Sequence, residues 1–305
     1  MPASRRPREL TRAVRTRSPA MRALLGTVER ALDHDVSILI LGESGSGKGW
    51  LAENIHRFGS RRDEPFVHVD CAAIPPDLFE SELFGFEKGT FTGAAERKLG
   101  RLEIAKRGSV YFDEIAALTP ALQAKLLRAF EEKRFTRLGG GSEVRLEARV
   151  ISSSSADVAA LLRRDLLYRI NVLTVTLPPL RERKEDVPRL AEDFARNAGK
   201  RIDADALRWL EGYAWPGNVR ELRNAIERAA LLADGDTITS ASLPLAAPAE
   251  LVTVAARDAW TLDELEARYI REVLRQTKEN YSRAAEILGI NRKTLLEKRR
   301  KYGIE

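Results

Sequence analysis

Hydrophobic positions along this chain change their spacing several times, and each change marks an element. The run from Val36 to Leu41 is short, continuous and apolar, and it ends at a glycine-rich turn. That is the pattern of a strand buried on both faces of a parallel sheet. Further runs of this kind are Phe66–Val69, Val110–Phe112, Arg149–Ser152 and Val172–Leu177. Segments of helical spacing lie between them. One is expected from about Trp50 to Phe58. The clearest spans Pro120–Glu132, where Leu122, Leu126, Leu127 and Phe130 fall on one face. Alternating strands and helices predict an α/β fold with a parallel sheet. From Asp186 to Leu232 only helical periodicity remains, which predicts a small all-α subdomain. Ser240–Ala256 holds Pro244, Pro248 and many alanines with almost no charge, as an interdomain linker does. Trp260–Glu305 returns to amphipathic, basic helices. No internal repeat is visible.

Composition removes some alternatives. The 305 residues are 44% hydrophobic and 31% charged, ordinary for a soluble globular chain. The formal net charge of +6 points weakly toward a polyanionic partner. Cys71 is the single cysteine, which rules out an internal disulfide and fits a reducing cytoplasm. Its simplest role is that of a small buried hydrophobe. No apolar run approaches the roughly 18 residues that span a bilayer, so no membrane partner is expected. Residues 1–17 carry Arg5, Arg6, Arg8, Arg12, Arg15 and Arg17 and lack the apolar centre of a signal peptide. They read as a disordered basic arm.

Chemistry first shows itself at Gly42-Glu43-Ser44-Gly45-Ser46-Gly47-Lys48, which follows the first strand directly. This is the G-x-x-x-x-G-K phosphate loop. Glycines let successive backbone N–H groups face phosphate oxygens, Lys48 adds a positive charge, and the next helix contributes its N-terminal dipole. The residue after Lys48 is Gly49, so the usual hydroxyl for a magnesium ion is missing and weaker metal handling is expected. Val110-Tyr111-Phe112-Asp113-Glu114 has the Walker B form, an apolar strand ending in paired carboxylates. Such a strand delivers its acids to the carboxyl edge of the sheet, where ligands bind. Asp113 is the candidate magnesium ligand, directly or through water. Glu114 is the candidate base that orients and deprotonates the attacking water of ATP hydrolysis.

The C-terminal residues carry a second pattern. Thr261-Leu262-Asp263-Glu264 is a capping box. Leu262, Leu265, Tyr269, Ile270 and Val273 form an apolar stripe behind it that suits packing on a second copy. Ser282–Leu288, the turn Gly289-Ile290-Asn291 and the helix Arg292–Lys301 then have helix-turn-helix spacing, with Asn291 as N-cap. The last helix bears Arg292, Lys293, Lys298, Arg299, Arg300 and Lys301.

With these motifs placed, the chain resembles the sigma-54-dependent activators, the bacterial enhancer-binding AAA+ proteins. Gly89-Thr90-Phe91-Thr92-Gly93-Ala94 is similar to their GAFTGA loop, with Thr90 where alanine is usual. Leu177-Pro178-Pro179-Leu180-Arg181-Glu182-Arg183 resembles their junction between sheet and helical lid. Trp215-Pro216-Gly217-Asn218-Val219-Arg220-Glu221-Leu222 matches their sensor II block. The resemblance implies that residues 89–94 contact sigma-54 and that Arg220 reaches phosphate from the lid. It implies that Arg163 and Arg169 are arginine fingers inserted into a neighbouring subunit, and that Asp70 is the polar switch restraining Glu114. It places sensor I at Ser154-Ser155, where Thr-Asn is usual. At the end of the chain it implies a Fis-type domain in which Arg292, Lys293 and Thr294 read the major groove. There Lys298, Arg299, Arg300 and Lys301 would hold phosphates.

The expected layout is an arm at 1–17, a AAA+ α/β ATPase subdomain at 18–182, a helical lid at 183–242, a linker at 243–258 and the DNA-binding domain at 259–305. No regulatory domain is expected upstream of residue 18 in this sequence; either regulation acts in trans or this is a truncated form. The function the resemblance implies is ATP-driven remodelling of the sigma-54 RNA polymerase closed complex. A homo-oligomeric ring, normally a hexamer, would do this with ATP and magnesium, bound to upstream DNA through dimeric domains. Gly49 and Ser155 keep an alternative open: a DNA-binding regulator of the same ancestry whose ATPase has weakened or been lost.

Overall fold

The computed structural model describes residues 9–233, 235–243, 260–277 and 280–304. Its contacts separate two units, Met1–Leu243 and Pro244–Glu305. The first is built on a five-stranded sheet. Across it the strands run Phe66–Asp70, Ser109–Asp113, Arg149–Ser154, Ile38–Leu41 and Leu173–Thr176. Every pairing between them is parallel. The apolar runs are therefore the strands, each a residue or two from its expected bounds. Alternate side chains feed opposite faces, as strand geometry requires. Leu39, Val110 and Phe112 enter one buried cluster with Leu122, Leu126 and Phe130. Ile38, Ile40 and Tyr111 enter another with Leu51 and Ile55 of the helix Lys48–Phe58. Helices thus cover both faces, and all five strands end at one edge. The phosphate loop, Asp70, Asp113, Glu114, Ser154 and Ser155 gather there.

Two antiparallel hairpins were not legible in the apolar pattern. Gly85–Phe86 pairs with Lys98–Leu99, and Arg134–Thr136 pairs with Glu143–Arg145. Strands of two or three residues are too short to show a period of two. The lid consists of the helices Val187–Asn197, Ala204–Gly212 and Asn218–Leu232 around Trp215. A short parallel pair, Arg201–Ile202 with Thr237–Ile238, joins them.

The disordered arm is corrected from residue 9 onward. Glu9–Val14 is a helix, and Leu10 is fully buried against Met21 and Leu25. Beyond it, the Thr16 hydroxyl and the Arg17 backbone N–H donate to the buried Asp186 carboxylate at 2.7 and 2.6 Å. The arginine density conceals one apolar anchor and one polar one. Residues 1–8 lie outside the described residues, as does the expected linker from 244 to 258. Leu243 packs into the lid core.

The second unit holds the helices Leu262–Gln276, Tyr281–Ile287 and Arg292–Lys301. The capping box forms at Thr261 and Glu264. Asn291 caps the last helix by accepting from the Thr294 backbone N–H at 2.8 Å. The expected apolar stripe divides. Ile270 and Val273 are consumed by the unit's own core with Ala284, Ala285 and Leu295, whereas Leu262 and Tyr269 stay exposed.

Candidate nucleotide site

The phosphate loop is wound as its glycines allow. Gly47 takes φ +106° at the start of the helix Lys48–Phe58, and Gly45 takes φ +74°. A side chain at Gly45 would also bring its Cβ to 2.4 Å from the Gly217 carbonyl oxygen, so the glycine is what lets the lid approach. Lys48 is buried, and its Nζ donates to the carbonyls of Gly42 and Glu43 at 3.0 and 3.3 Å. Ser46 is buried as well, and its Oγ has no hydrogen-bond partner among the described residues. An unsatisfied buried hydroxyl is costly. A phosphate oxygen in this cradle would satisfy it.

Asp113 sits at the centre of a polar cluster. The Tyr111 hydroxyl donates to its Oδ1 at 2.8 Å and the Ser153 hydroxyl does so at 2.5 Å. His68 Nε2 lies 3.6 Å from its Oδ2. Burial alone would raise the carboxyl pKa. The imidazole of His68 beside it and the hydrogen bonds from Ser153 and Tyr111 outweigh it and hold Asp113 well below the usual range, hence ionised. Among the described residues no group of three or more His, Cys, Asp or Glu side chains is arranged to cage a cation. A nucleotide-bound magnesium asks for only one or two carboxylates, because phosphate and water complete its shell. Asp113 has the charge and the hard oxygen that such an ion takes.

Glu114 has φ 52° and ψ 52°, a left-handed conformation uncommon for a residue with a side chain. This turns its carboxylate back across the sheet edge. Oε1 lies 3.0 Å from Lys48 Nζ. Oε2 accepts from the Ser155 backbone N–H at 2.8 Å and from its hydroxyl at 2.9 Å. Candidate base, loop lysine and candidate sensor residue are therefore in direct contact. Ser154 turns the other way and bonds to Ala156. Asp70 does not restrain Glu114 in this structure. Its Oδ1 accepts from the N–H groups of Ala72 and Ala73, in the turn after its own strand. Burial pushes the neighbouring Cys71 thiol well above its ordinary pKa, which leaves it inert.

The lid is docked onto the phosphate loop through the sensor II block. Arg220 Nη1 donates to Ser44 Oγ at 3.0 Å. Sequence reasoning gave the larger part to Arg220 and passed over Asn218, which is fully buried. Its Oδ1 accepts from Leu180 N at 2.8 Å, and its Nδ2 donates to Glu43 Oε2 and the Ser44 carbonyl, each at 3.1 Å. Glu43 faces this junction and not the phosphate cradle. Arg181 grips both of its oxygens, at 2.6 and 2.8 Å. Hydrogen bonds from Arg181 and then Asn218 pull its pKa down from 4.5 to about 2. Arg183, also passed over, is buried and donates to the Ser46 carbonyl at 2.6 Å. Asn and Arg inside a matching motif are the only signal the sequence offered for either residue.

The loop 89–94 is closed on itself by Gly89 N to Ala94 O at 2.9 Å and Ala94 N to Phe91 O at 3.0 Å. Phe91 sets its edge against Phe86, with ring centres 4.9 Å apart, yet remains 47% exposed. Thr92 and Gly93 are exposed and Ala94 is buried. Thr90 tethers the loop, its hydroxyl lying 2.6 Å from the Glu87 carbonyl and 3.0 Å from that of Leu138. Arg163 and Arg169 are engaged away from the phosphate loop of their own chain. Arg163 pairs with Asp165 at 2.7 Å, and Arg169 donates to the Phe130 carbonyl at 2.7 Å.

In the second unit the basic residues of the last helix fall into two sets. Arg292, Lys293 and Arg300 are exposed. Lys298 is 2.6 Å from Glu266, Lys301 is 2.9 Å from Asp263, and Arg299 donates to the Ile304 carbonyl at 2.8 Å. The second set ties the last helix to the rest of the unit. Thr294 is half-buried, and its backbone N–H serves the Asn291 cap.

A glycine-rich phosphate loop, paired Walker B carboxylates, serines at the end of the adjacent strand and a lid bearing an arginine together define a AAA+ nucleotide-binding module. The sequence matches the Sigma-54 interaction domain over residues 14–176, the AAA+ ATPase lid domain over 181–258 and the bacterial regulatory protein, Fis family, over 261–302. The chain belongs to the sigma-54-dependent transcriptional regulators. It is 42% identical over 296 residues to the transcriptional regulatory protein ZraR of Klebsiella oxytoca, covering 92% of this chain and 67% of that protein. It is 41% identical to the formate hydrogenlyase transcriptional activator FhlA of Escherichia coli K12, covering 95% of this chain and 44% of that protein. Among solved structures it resembles NtrX from Brucella abortus in complex with ATP. The TM-score is 0.68 at 34% identity, over 95% of this chain and 69% of that one. Family membership makes it an ATP-dependent activator of sigma-54 transcription with an ATPase module and a DNA-binding module. Among the described residues no helix is long and apolar enough to cross a membrane.

Proposed function

We propose that the chain hydrolyses magnesium-bound ATP at the Lys48–Glu114 site, as a ring of copies, and spends the cycle remodelling the sigma-54 RNA polymerase closed complex. The observation that carries this is the contact of Glu114 with both Lys48 and Ser155. Lys48 is placed to exchange its loop carbonyls for phosphate oxygens. Glu114 is then released from the lysine and keeps Ser155, which aims its carboxylate to take the proton of an attacking water. When bound, magnesium would neutralise charge on the phosphates; Asp113, held ionised by Tyr111, Ser153 and His68, would hold it. Arg220, on Ser44, would follow nucleotide state from the lid. Arg163 and Arg169, turned away from their own phosphate loop, would act on the site of a neighbouring copy, which is why a hexameric ring is expected. Gly89–Ala94 would engage sigma-54 through Phe91 and Thr92. The Fis-type unit would bind upstream DNA as a dimer in the bacterial cytoplasm.

The test is Glu114→Gln. ATP binding should persist, whereas hydrolysis should fall about 10²–10⁴-fold. If wild type and variant turn over ATP at one common rate, the chain is a DNA-binding regulator with a lost ATPase.

A further inference from the structure

Tyr111 is a polar side chain in an apolar position. It lies inside the Walker B strand and is 1% exposed. Its ring stacks on His68 at 5.2 Å and on Phe66 at 6.1 Å. A tyrosine so buried must find a partner for its hydroxyl. It donates to Asp113 Oδ1 at 2.8 Å, with Ser153 Oγ 2.9 Å away. Across the gap stands Gly49, where the phosphate loop lacks a side chain. A Cβ built on Gly49 would meet Tyr111 Cε1 at 3.6 Å and the Tyr111 hydroxyl at 3.7 Å. The tyrosine hydroxyl therefore stands in van der Waals contact with the point from which a side chain at position 49 would extend.

We propose that Tyr111, from the Walker B strand, compensates for the hydroxyl that the phosphate loop lacks at Gly49 by orienting Asp113 for a metal-bound nucleotide, so that positions 49 and 111 work as one unit. Two features support this beyond the coincidence of space. Tyr111 and Ser153 converge on the same Asp113 oxygen, which leaves Oδ2, on the His68 side, as the freer one. The Ser153 hydroxyl also accepts from the Glu114 backbone N–H at 3.3 Å, so the arrangement reaches the candidate base. Tyr111 is a positioning residue: it acts through Asp113. A serine at position 49 would set its hydroxyl beside that of Tyr111 and should add little while Tyr111 is present.

This rests on the magnesium–nucleotide reading of the site. The test uses the full chain as wild type, Tyr111→Phe, Gly49→Ser and the double variant. Binding of a fluorescent ATP analogue is titrated with magnesium, and ligand-free thermal unfolding is measured for each protein. Loss of a hydrogen bond to a charged group should raise the half-saturating magnesium concentration of Tyr111→Phe about tenfold. Binding without magnesium and the ligand-free unfolding curve should stay close to wild type. Gly49→Ser should leave the midpoint in place when Tyr111 is present and lower it again in the Tyr111→Phe background. Equal midpoints in all four proteins, or an equal shift from Gly49→Ser in both backgrounds, would overturn the inference alone. Nucleotide binding by the wild type that ignores magnesium would overturn the reading of the site and the inference with it. If Tyr111→Phe lowers ligand-free stability and weakens binding equally with and without magnesium, the tyrosine serves packing, and the inference fails.

Discussion

Ser155 holds Glu114 twice, through its backbone N–H at 2.8 Å and its hydroxyl at 2.9 Å, both on Oε2. Serine is shorter than the asparagine usual at this place in sensor I. It succeeds because the left-handed backbone of Glu114 brings the carboxylate to it. Ser155→Ala should remove one of the two bonds and keep the other. A hydrogen bond to a charged group contributes about 1.5–3 kcal/mol, so the hydrolysis rate should fall about ten- to a hundredfold. ATP affinity should barely move, because neither bond touches the phosphate loop. Steady-state turnover and equilibrium nucleotide binding, measured on one preparation, decide it. An unchanged rate would show that the backbone bond suffices.

Glu43 gives lid docking a dependence on pH. In the folded chain its pKa is lowered from 4.5 to about 2, first by Arg181 and then by Asn218. A depressed carboxyl pKa contributes stability that is present above the unfolded value and lost as pH falls through the folded one. Glu43→Gln should therefore be less stable than wild type at pH 7. The difference should hold down to about pH 4.5 and close toward pH 2. Glu43 and Arg181 are both partly exposed to solvent, so the effect is modest and salt should shrink it. Unfolding midpoints of the two proteins across that pH range provide the check. A gap that stays constant with pH would assign the effect to shape rather than charge.

How much of this was legible in the sequence depended on whether the signal was local. The buried strands and the Pro120–Glu132 helix announce themselves by apolar spacing, because each buries a whole face. Lys48, Asp113 and Glu114 announce themselves because one strand and one loop fix their positions. Tyr111, Ser153, His68, Asn218 and Arg183 act across elements far apart in the chain. Asn218 reaches Leu180, Glu43 and Ser44, and nothing within a few residues of it predicts that. Leu10 is one apolar residue among arginines, so its burial could not be read from composition. The role expected of Asp70 came from resemblance alone, and the side chain satisfies its own turn instead.

The last helix of the DNA-binding unit separates reading from holding. Arg292 is exposed at the first turn, where a recognition helix meets base edges. Arg292→Ala should reduce discrimination between the preferred site and variants of it, by about 1–3 kcal/mol at the base it reads. Arg300→Ala should weaken all duplexes alike and lower the salt slope by about one. Lys301→Ala should do less to that slope, because Lys301 already faces Asp263 at 2.9 Å and must leave it to meet a phosphate. Binding isotherms on specific and random duplexes at several salt concentrations distinguish the three. Equal affinity of the wild type for both duplexes would discard base reading by Arg292.

The loop at 89–94 is held at its base and free at its tip. Thr90 bonds the Glu87 and Leu138 carbonyls, Ala94 is buried, and Thr92 is exposed with Phe91 resting edge-on against Phe86. Leu138 lies between the two strands of the Arg134–Arg145 hairpin, so this tether connects the loop to that hairpin. Tip and base should then fail differently. Thr92→Ala removes a solvent-facing hydroxyl and Phe91→Ala removes a half-exposed ring. Neither residue offers the nucleotide site a ligand. ATP hydrolysis and DNA binding should stay near wild type in both, while promoter melting by sigma-54 polymerase is lost. State-dependent engagement of a partner requires contacts that differ between states, and these two side chains are the ones the tip presents. Thr90→Ala removes the tether instead. It should leave the contact residues intact but loosen their presentation, reducing melting without abolishing it. One preparation of each variant, assayed for phosphate release, duplex binding and promoter melting, orders the three. If melting survives in both tip variants, sigma-54 is contacted elsewhere. If Thr92→Ala abolishes hydrolysis, the tip belongs to the ATPase site.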